Sequence, residues 1–459
     1  MTAYEIGLIL SAVLVVLVVI GVRVAFAAAL IGFVGLVWIF SQRMGFERGF
    51  DVAMSMAGSV PHSKATGYTL SLIPTFILIG YLAYYAGLTA YLFEAAKRWL
   101  GWMPGGLGIA TVFATAGFAA VSGASVATSA VFARIAIPEM QKLGYDNRFA
   151  AGVVAASGTL ASLIPPSAIL VIYAIIVETS VGQLLLAGFI PGLYSAVLYG
   201  GLVIILAKIN PKLGPPVGGF TWRERFESLP GAMPILFVVG IIIYCIYFGW
   251  GTPTEAGALG AFVVLLMALW KGMRWGQLKD ALIESAKLTV MIFTIIWGVL
   301  IYVRFLGFAD LPGAFADFIA GLDQSPMLTL LLILCAYAIL GMFMDAIGML
   351  LLTLPVVFPA VIALNGGEGV SVADSAFGMT STECAIWFGI IVVKMAELCL
   401  ITPPIGLNCF VVAGVRPDIS VQDVFRGVAP FFVADAVTIA GLIAFPGIVL
   451  FLPRLLLGG

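Results

Sequence analysis

Two runs of small, hydroxyl-bearing and proline residues interrupt otherwise apolar segments of the chain. The first run is SGTLASLIPPS, residues 157–167, and the second is LITPPIGLN, residues 400–408. A proline removes a backbone donor and clashes with the preceding helical turn, so a membrane helix built on either run must break. At bilayer depth, the freed backbone groups are tolerated only where protein buries them or where they line a cavity. Both runs are therefore candidate binding sites.

The groups that such breaks expose have a defined chemistry. The C-terminal ends of half-helices offer unpaired carbonyls, and the N-terminal ends offer N–H groups with a partial positive charge. Carbonyls and hydroxyls suit a hard cation such as Na⁺, whereas N–H groups suit a carboxylate. The simpler interpretation is that small residues only allow close packing and that prolines only kink a helix. Because the break is duplicated, we favour a binding function over packing alone. The pattern predicts cotransport of a cation with an anion.

The composition indicates an all-α polytopic membrane protein. Of the 459 residues, 62% are hydrophobic and only 10% are charged, whereas a soluble domain carries about 25% charged residues. The net charge of −1 gives no reason to expect nucleic acid as a partner. Glu5 stands where a signal peptide would be basic, so we expect the first apolar segment to be a retained helix in the lipid bilayer. The single histidine, His62, argues against a catalytic zinc site.

The chain divides into two halves with the same order of segments. A polar, Pro/Gly-rich linker, residues 208–230, separates a first repeat, residues 1–207, from a second repeat, residues 231–459. The spacing from the first proline of each break to the proline of the following Gly-x-x-Pro is 26 residues in one half and 27 in the other. These agreements predict an internal structural repeat.

Each half contains one segment that is too long for one crossing and too short for two crossings with a polar loop. These segments, 105–138 and 326–364, precede the proline-broken helices 149–177 and 387–414. We interpret them as re-entrant hairpins, which leaves five crossings per half. Because five is odd, the second half enters the membrane inverted, as in transporters built from inverted repeats with discontinuous helices.

The distribution of basic residues provides a test of this topology. With the linker in the cytoplasm, fifteen basic residues fall on the cytoplasmic side. Only four fall on the opposite side: Arg43, Arg48, Lys64 and Arg454. The outer loops 310–323 and 368–383 contain acids and no bases. Cytoplasmic loops carry an excess of Lys and Arg, so the sequence predicts a periplasmic N-terminus.

Several charged residues lie within apolar segments, where they are costly enough to need a reason. Asp345, at the predicted tip of the second hairpin, is a candidate cation ligand or helix cap. Lys394 and Glu397 are three residues apart, which leaves open a structural ion pair or a place on the transport path. Asp435 has no partner that the sequence identifies.

Five motifs, in the same order and over nearly the whole chain, resemble the large membrane subunit of TRAP transporters, the DctM type. They are SGASVATSAVFARIAIPEM, GTLASLIPPS, GTPTEAGALGA, GMFMD and LITPPIGLNCFVVAGVRPDIS. The resemblance implies an elevator-type secondary transporter of the bacterial inner membrane that imports an organic acid with Na⁺ and carries no organic cofactor. It also implies two partners encoded as separate chains, a small four-helix membrane subunit of the DctQ type and a periplasmic substrate-binding protein of the DctP type.

The resemblance also implies site residues. The first cation site would fall on Ser122, Gly123, Ser125, Ser157, Gly158 and Pro165. The second would fall on Gly341, Asp345, Thr402, Pro403 and Gly406. The substrate would lie between them, at Ser125, Thr159, Asp345, Lys394 and Asn408. One departure stands out, because Lys394-Met-Ala-Glu397 replaces the neutral residues more usual in the family and indicates a subfamily with different site electrostatics.

Three other functions remain open from the residues alone. A Na⁺/dicarboxylate symporter of similar hairpin architecture would work without a binding protein. An intramembrane hydrolase would use Ser122 or Ser125 as nucleophile and would need a neighbouring base such as Lys394. A channel is disfavoured because paired broken helices are typical of occluded sites. We therefore expect no catalytic residue.

Overall fold

The first half of the chain is built of helices joined by short connections. The computed structural model describes residues 1–65, 67–322 and 324–457, so Asp323 and the Lys64 side chain lie outside the described residues. No strand occurs in these ranges. The helices of the first half are α1 Ala3–Val19, α2 Val24–Met44, α3 Phe46–Ala65, α4 Leu72–Tyr85, α5 Leu88–Leu100, α6 Gly106–Ser122, α7 Ser125–Lys142, α8 Asn147–Thr159, α9 Ala168–Ile176 and α10 Val181–Ile209.

The second half follows the same order of elements. Its helices are α11 Trp222–Tyr247, α12 Pro253–Trp270, α13 Trp275–Phe308, α14 Leu311–Ala320, α15 Pro326–Gly341, α16 Ala346–Leu364, α17 Ser381–Cys399, α18 Leu407–Val415, α19 Val421–Ala444 and α20 Gly447–Leu457. In both halves a short helix precedes the hairpin and begins after a residue in the left-handed conformation, Gly87 at φ 73° and Asp310 at φ 55°. The expected all-α fold is confirmed.

The helix bounds differ from the expected segments in three places. Composition predicts an amphipathic segment at 271–287 and a separate apolar segment at 288–308, but the two form one continuous helix, α13, because no proline or glycine interrupts the backbone at their boundary. The apolar run 430–452, which we expect to be one last segment, is divided between α19 and α20, since the helix ends before Pro446. Helix α11 begins at Trp222, inside the segment assigned to the linker, so Pro230 lies within a helix.

Helix starts follow local sequence signals. Thr252 accepts a hydrogen bond from the backbone N–H of Glu255, and the Glu255 carboxylate accepts one from the Thr252 backbone N–H at 2.6 Å. Such a capping box satisfies two of the donors that a helix N-terminus leaves unpaired, and an N-cap stabilises a helix by about 1 kcal/mol. A threonine, a proline at the first helical position and an early acid, residues 252–255, predict a helix start from sequence, and α12 confirms it.

Two helices form the centre of the molecule. From Phe149 to Thr159 every residue of α8 is buried, and so is every residue of α17 from Cys384 to Cys399. A helix that is apolar or small on all sides belongs in the interior. Helix α11, in contrast, exposes large apolar side chains such as Leu236 and Phe237, as a lipid-facing helix does.

Seven helices in the described residues are long and apolar enough to cross a membrane, or eight if the pair α4 and α5, bent by 70°, counts as one span. The other expected crossings consist of shorter pieces, such as the 17-residue α1 and the two broken helices. The number of five crossings per half, the inversion of the second half and the domain boundaries stay predictions.

Candidate functional site

The tip of the first hairpin lies directly on the first proline break. Helix α6 ends at Ser122 and α7 begins at Ser125, and Gly123 between them has φ 57°. A Cβ atom built on Gly123 would lie 2.3 Å from the Pro166 carbonyl oxygen. The Ala168 backbone N–H approaches the Gly123 carbonyl at 3.4 Å. Only glycine permits this approach and this backbone conformation together.

The first break has a regular internal structure. Helix α8 ends at Thr159, a single 3₁₀ turn covers Leu160–Ser162, and α9 begins at Ala168. The Ser167 hydroxyl donates to the Ser162 carbonyl oxygen and accepts from the Leu170 backbone N–H at 3.3 Å. Ser167 is therefore the N-cap of α9, and the two half-helices meet across the prolines.

The hydroxyls assigned to the first cation site are buried among other hydroxyls. Ser122 Oγ lies 2.8 Å from Thr128 Oγ1, on the other arm of the hairpin. Ser157 Oγ donates to Thr115 Oγ1 on α6 at 3.4 Å. Thr159, assigned to the substrate, donates to the Ala156 carbonyl at 2.8 Å. The structure thus brings the first hairpin and the first broken helix together through hydroxyl groups.

The second hairpin is held against the second broken helix in a similar way. A Cβ atom on Gly341, the last residue of α15, would lie 1.7 Å from Cys399 Sγ at the end of α17. Asp345 is the N-cap of α16, and its Oδ2 accepts from the Gly348 backbone N–H at 3.0 Å. The sequence left open a cation ligand or a helix cap for Asp345, and the structure assigns one carboxylate oxygen to the cap.

The second break ends in a left-handed residue. Thr402 Oγ1 donates back to the Leu398 carbonyl at 2.6 Å, so this hydroxyl completes the last turn of α17. Gly406, with φ 40°, precedes α18. The Asn408 backbone N–H reaches back to the Leu400 carbonyl at 3.0 Å and closes the break.

Asn408 joins the second break to the first hairpin and the first broken helix. Its Nδ2 donates to Ser125 Oγ at 2.9 Å and approaches the Ala155 carbonyl at 3.3 Å. Asn408 is fully buried and Ser125 is 6% exposed. The elements that the sequence expects to meet therefore do meet, with an amide at their junction.

Three buried side-chain oxygens, one on the first hairpin and one at each break, accept or donate no hydrogen bond within the described part of the chain. They are Ser129 Oγ, Ser162 Oγ and Asn408 Oδ1. A buried oxygen without a partner costs about 1–3 kcal/mol. The Ser129 hydroxyl packs on the first broken helix, because a Cβ atom on Gly158 would lie 1.9 Å from it. Neutral hydroxyl and amide oxygens are ligands that a hard cation accepts, so these atoms fit Na⁺.

Lys394 occupies a closed ion cluster. Its Nζ lies 2.7 Å from Glu397 Oε2, 2.7 Å from Asp435 Oδ1 and 2.8 Å from Ser195 Oγ. All three charged side chains have no exposed surface. The structural ion pair between Lys394 and Glu397 is present. Asp435 is an additional partner that could not be predicted, because it lies on a different helix and no nearby sequence pattern points to Lys394. Contact of Lys394 with a substrate stays a prediction.

A cavity of about 360 Å³ opens beside the hairpin tip. Its lining includes Ser122, Ala127, Ala130, Arg134 and Tyr84. Arg134 donates to the Tyr84 hydroxyl at 3.2 Å and is exposed. No role for Arg134 is predicted from its residue type alone. Helical periodicity could have identified it, because positions 127, 130 and 134 of α7 share one helix face that leads from the tip.

The base of the first hairpin also contacts the end of the second broken helix. Arg416 Nη2 lies 2.6 Å from Gln141 Oε1 and 2.7 Å from Asp418 Oδ2. Gln141 Nε2 donates to the same Asp418 oxygen at 3.0 Å. The hydrogen bonds from Arg416 and then Gln141 hold the pKa of Asp418 well below its usual range. The two halves are therefore joined at a second point, outside the apolar core.

Comparison with known proteins agrees with this architecture. The family model "Tripartite ATP-independent periplasmic transporter, DctM component" matches residues 11–448. The chain is 37% identical over 350 residues to the C4-dicarboxylate TRAP transporter large permease protein DctM of Pseudomonas aeruginosa, covering 76% of this chain and 78% of that protein. It is 30% identical over 408 residues to the sialic acid TRAP transporter large permease protein SiaM of Vibrio cholerae, covering 88% and 90%.

Among solved structures, the YdaH transporter of Alcanivorax borkumensis matches with a TM-score of 0.58 over 87% of this chain and 89% of that chain. The sequence identity is 11%, so this likeness concerns the fold. The family match, in contrast, spans both hairpins and both breaks. The chain therefore belongs to the DctM-component family of tripartite ATP-independent periplasmic (TRAP) transporters, and it is a membrane transport protein, not an enzyme.

Proposed function

We propose that this chain is the permease that imports an organic carboxylate together with Na⁺, using an elevator motion. The observation that carries the proposal is the contact of Asn408 with Ser125 and Ala155, because it joins the second break to the first hairpin and to the first broken helix in a buried junction. Two broken helices joined in this way provide both kinds of helix end, carbonyls for a cation and N–H groups for an anion.

The oxygens at the junction support Na⁺ as the coupling ion. Ser129, Ser162 and Asn408 each keep a buried oxygen without a hydrogen bond to the described residues. The first ion site would combine these atoms with the hydroxyls of Ser122 and Ser157 and with the carbonyls of the break. The second would lie at Asp345 and Thr402, at the start of α16 and the end of α17. Neutral oxygen ligands favour a monovalent over a divalent cation, because the divalent ion loses more hydration energy.

The cavity beside the hairpin tip supports an anionic substrate. Arg134 is a permanent positive charge with a planar fork of donors that matches a carboxylate. It lines the same cavity as Ser122, at the tip, and Glu284 of α13 lines it as well, so the carboxylate would bind on the Arg134 side. The Pseudomonas and Vibrio relatives are named for C4-dicarboxylate and sialic acid, and both compounds carry carboxylate groups. A carboxylate is therefore the substrate class that we propose.

The family description supports a tripartite assembly. We propose that a small four-helix membrane subunit and a periplasmic substrate-binding protein work with this chain, which lies in the inner membrane with its N-terminus in the periplasm. The excess of basic residues on the linker side supports that orientation. The two hairpins and two broken helices would move as one unit, because Asn408 ties the second broken helix to Ser125 of the first hairpin and to Ala155 of the first broken helix. The outer helices would form the scaffold.

Reconstituted uptake tests the proposal. Proteoliposomes would contain this chain with the small subunit encoded beside it, and labelled organic acids would be offered with and without the neighbouring binding protein. We expect uptake only with an inward Na⁺ gradient and only with the binding protein. Equal uptake in K⁺ would contradict Na⁺ coupling. Uptake without the binding protein would support the alternative, a binding-protein-independent Na⁺/dicarboxylate symporter.

A further inference from the structure

The ion cluster around Lys394 contains two acidic residues and one basic residue. Lys394 has three acceptors within 2.8 Å, one on each of Glu397, Asp435 and Ser195. An ammonium group has three donors and no acceptor, so all three donors are used and the lysine is cationic. With both carboxyls ionised, one cation would face two anions, and the cluster would carry a net charge of −1.

The surrounding helices supply no second cation to the cluster in the described part of the chain. Helix α10 contributes the Tyr199 hydroxyl and Ser195, and α8 contributes Thr159, whose hydroxyl lies 3.5 Å from that of Tyr199. Of the other cations on helices packed against α17, Arg426 lies 3.9 Å from Asp423, and Lys208 stands at the C-terminal end of α10, thirteen residues beyond Ser195. Three further ionisable groups bond elsewhere. Tyr173 donates to the Ala385 carbonyl, Tyr337 bonds to Thr353, and Arg454 pairs with Glu383.

A net charge at this position is costly. Lys394, Glu397 and Asp435 are all fully buried, and an uncompensated charge in a medium of low dielectric constant loses several kcal/mol of hydration. A second observation points the same way. Glu397 Oε1 and Asp435 Oδ2 are buried and have no hydrogen-bond partner among the described residues. A carboxylate offers about four acceptor positions, and these two oxygens accept no hydrogen bond that would stabilise a second negative charge in the cluster.

The hydrogen bonds distinguish the two carboxyl groups. Asp435 Oδ1 accepts from both Lys394 and the Tyr199 hydroxyl, the latter at 2.5 Å. Glu397 Oε2 accepts from Lys394 alone. Because hydrogen bonds to the charged form stabilise it, Asp435 is the better-stabilised anion and Glu397 is the better site for a proton.

We propose that the Lys394–Glu397–Asp435 cluster is a proton-binding site in which Glu397 is protonated at neutral pH and Asp435 is ionised. The bound proton removes the excess charge, so that one ammonium group faces one carboxylate. None of the three residues belongs to either proposed Na⁺ site or lines the Arg134 cavity, and the proposal stands whether or not Na⁺ drives transport.

Infrared spectroscopy of the purified full-length protein in detergent tests the assignment, because a protonated carboxyl has a carbonyl stretch that a carboxylate lacks. Relative to the unmodified chain at pH 7, Glu397→Gln should lose one such band, and the lost band should be one that shifts in D₂O. Glu383→Gln, which changes an acid at the start of the same helix, should lose none. An unchanged protonated-carboxyl region in Glu397→Gln would overturn the proposal.

Two further variants keep the test decisive if Glu397→Gln does not fold. In Asp435→Asn the lysine has only Glu397 as a counter-ion, so Glu397 should ionise and the band should again disappear. In Lys394→Met no cation remains, so both carboxyls should be protonated and the band should about double. Retention of the band in Asp435→Asn, or no increase in Lys394→Met, would show that charge balance does not set the proton on Glu397.

Discussion

Asn408 and Ser125 lie 283 residues apart in the chain and share a hydrogen bond of 2.9 Å in the interior. The same amide nitrogen reaches Ala155 on the first broken helix at 3.3 Å. One side chain of the second half thus contacts both the hairpin and the broken helix of the first half. Any motion of one pair relative to the other must break this contact, so the two pairs are expected to move together.

The first prediction concerns the Asn408 amide. Asn408→Ala removes the donor to Ser125 and Ala155, and we expect the free energy of unfolding to fall by about 1–3 kcal/mol because buried acceptors are left unpaired. Uptake should also fall strongly. Asn210→Ala, at the exposed end of α10, is the control and should have little effect. Thermal unfolding in detergent measures the difference, and equal melting temperatures for both variants would contradict the role of the junction.

The second prediction concerns the hairpin tip. Gly123→Ala places a Cβ atom 2.3 Å from the Pro166 carbonyl oxygen, so the tip must move away from the break. A displacement of about 1 Å costs about 100-fold in rate where geometry is critical, and we expect an uptake loss of that order. Gly144→Ala is a matched control, because Gly144 has φ 78° but no described atom within 4 Å of the added Cβ. If both variants lose the same activity, backbone strain and not the tip contact is responsible.

The third prediction concerns ion binding. The Ser129 hydroxyl is buried without a hydrogen-bond partner among the described residues, so Ser129→Ala should raise the free energy of unfolding without Na⁺ by about 1–3 kcal/mol. Loss of one neutral ligand worth about 1 kcal/mol should raise the Na⁺ concentration for half-maximal uptake by about five- to tenfold. Thr438→Val removes a buried hydroxyl that bonds only to its own helix, at the Ala434 carbonyl, and serves as the control. An unchanged Na⁺ dependence in Ser129→Ala would exclude this hydroxyl from the ion site.

The fourth prediction concerns substrate charge. Arg134→Gln removes the positive charge from the cavity beside the hairpin tip, and we expect KM for a carboxylate substrate to rise by about tenfold or more, since a charged hydrogen bond contributes about 1.5–3 kcal/mol. Arg134→Lys should recover part of the loss, because it restores charge without the planar fork. Arg223→Gln, which changes an exposed arginine paired with Glu227, is the control. Transport kinetics indistinguishable from those of the control would remove Arg134 from the substrate path.

Local chemistry explains which features the sequence alone could predict. The breaks after Thr159 and Cys399 follow from prolines that cannot continue a helix. The pair Lys394–Glu397 follows from three-residue spacing on one helix. These signals act within a few residues, so periodicity and residue type reveal them.

Contacts between distant helices could not be predicted in this way. Asp435 reaches Lys394 from α19, and Asn408 reaches Ser125 from α18, and neither residue carries a local sign of its partner. The bounds of the continuous helix α13 were predicted wrongly for a different reason. Its composition changes from amphipathic to apolar near Lys287, but composition does not end a helix without a residue that disfavours helical backbone. The place of Arg134 in a cavity could not be predicted either, because that cavity is formed with residues of α4.

The central claim is that the junction of the two breaks binds Na⁺, and a cation-specific thermal shift of the purified protein tests it most directly. Melting temperatures would be measured in NaCl and in KCl at equal ionic strength, for the unmodified chain, Ser129→Ala and Thr438→Val. We predict that Na⁺ raises the melting temperature above its value in K⁺ for the unmodified chain and Thr438→Val, and that Ser129→Ala needs more Na⁺ for the same shift. Equal stabilisation by Na⁺ and K⁺ in the unmodified chain would contradict the claim.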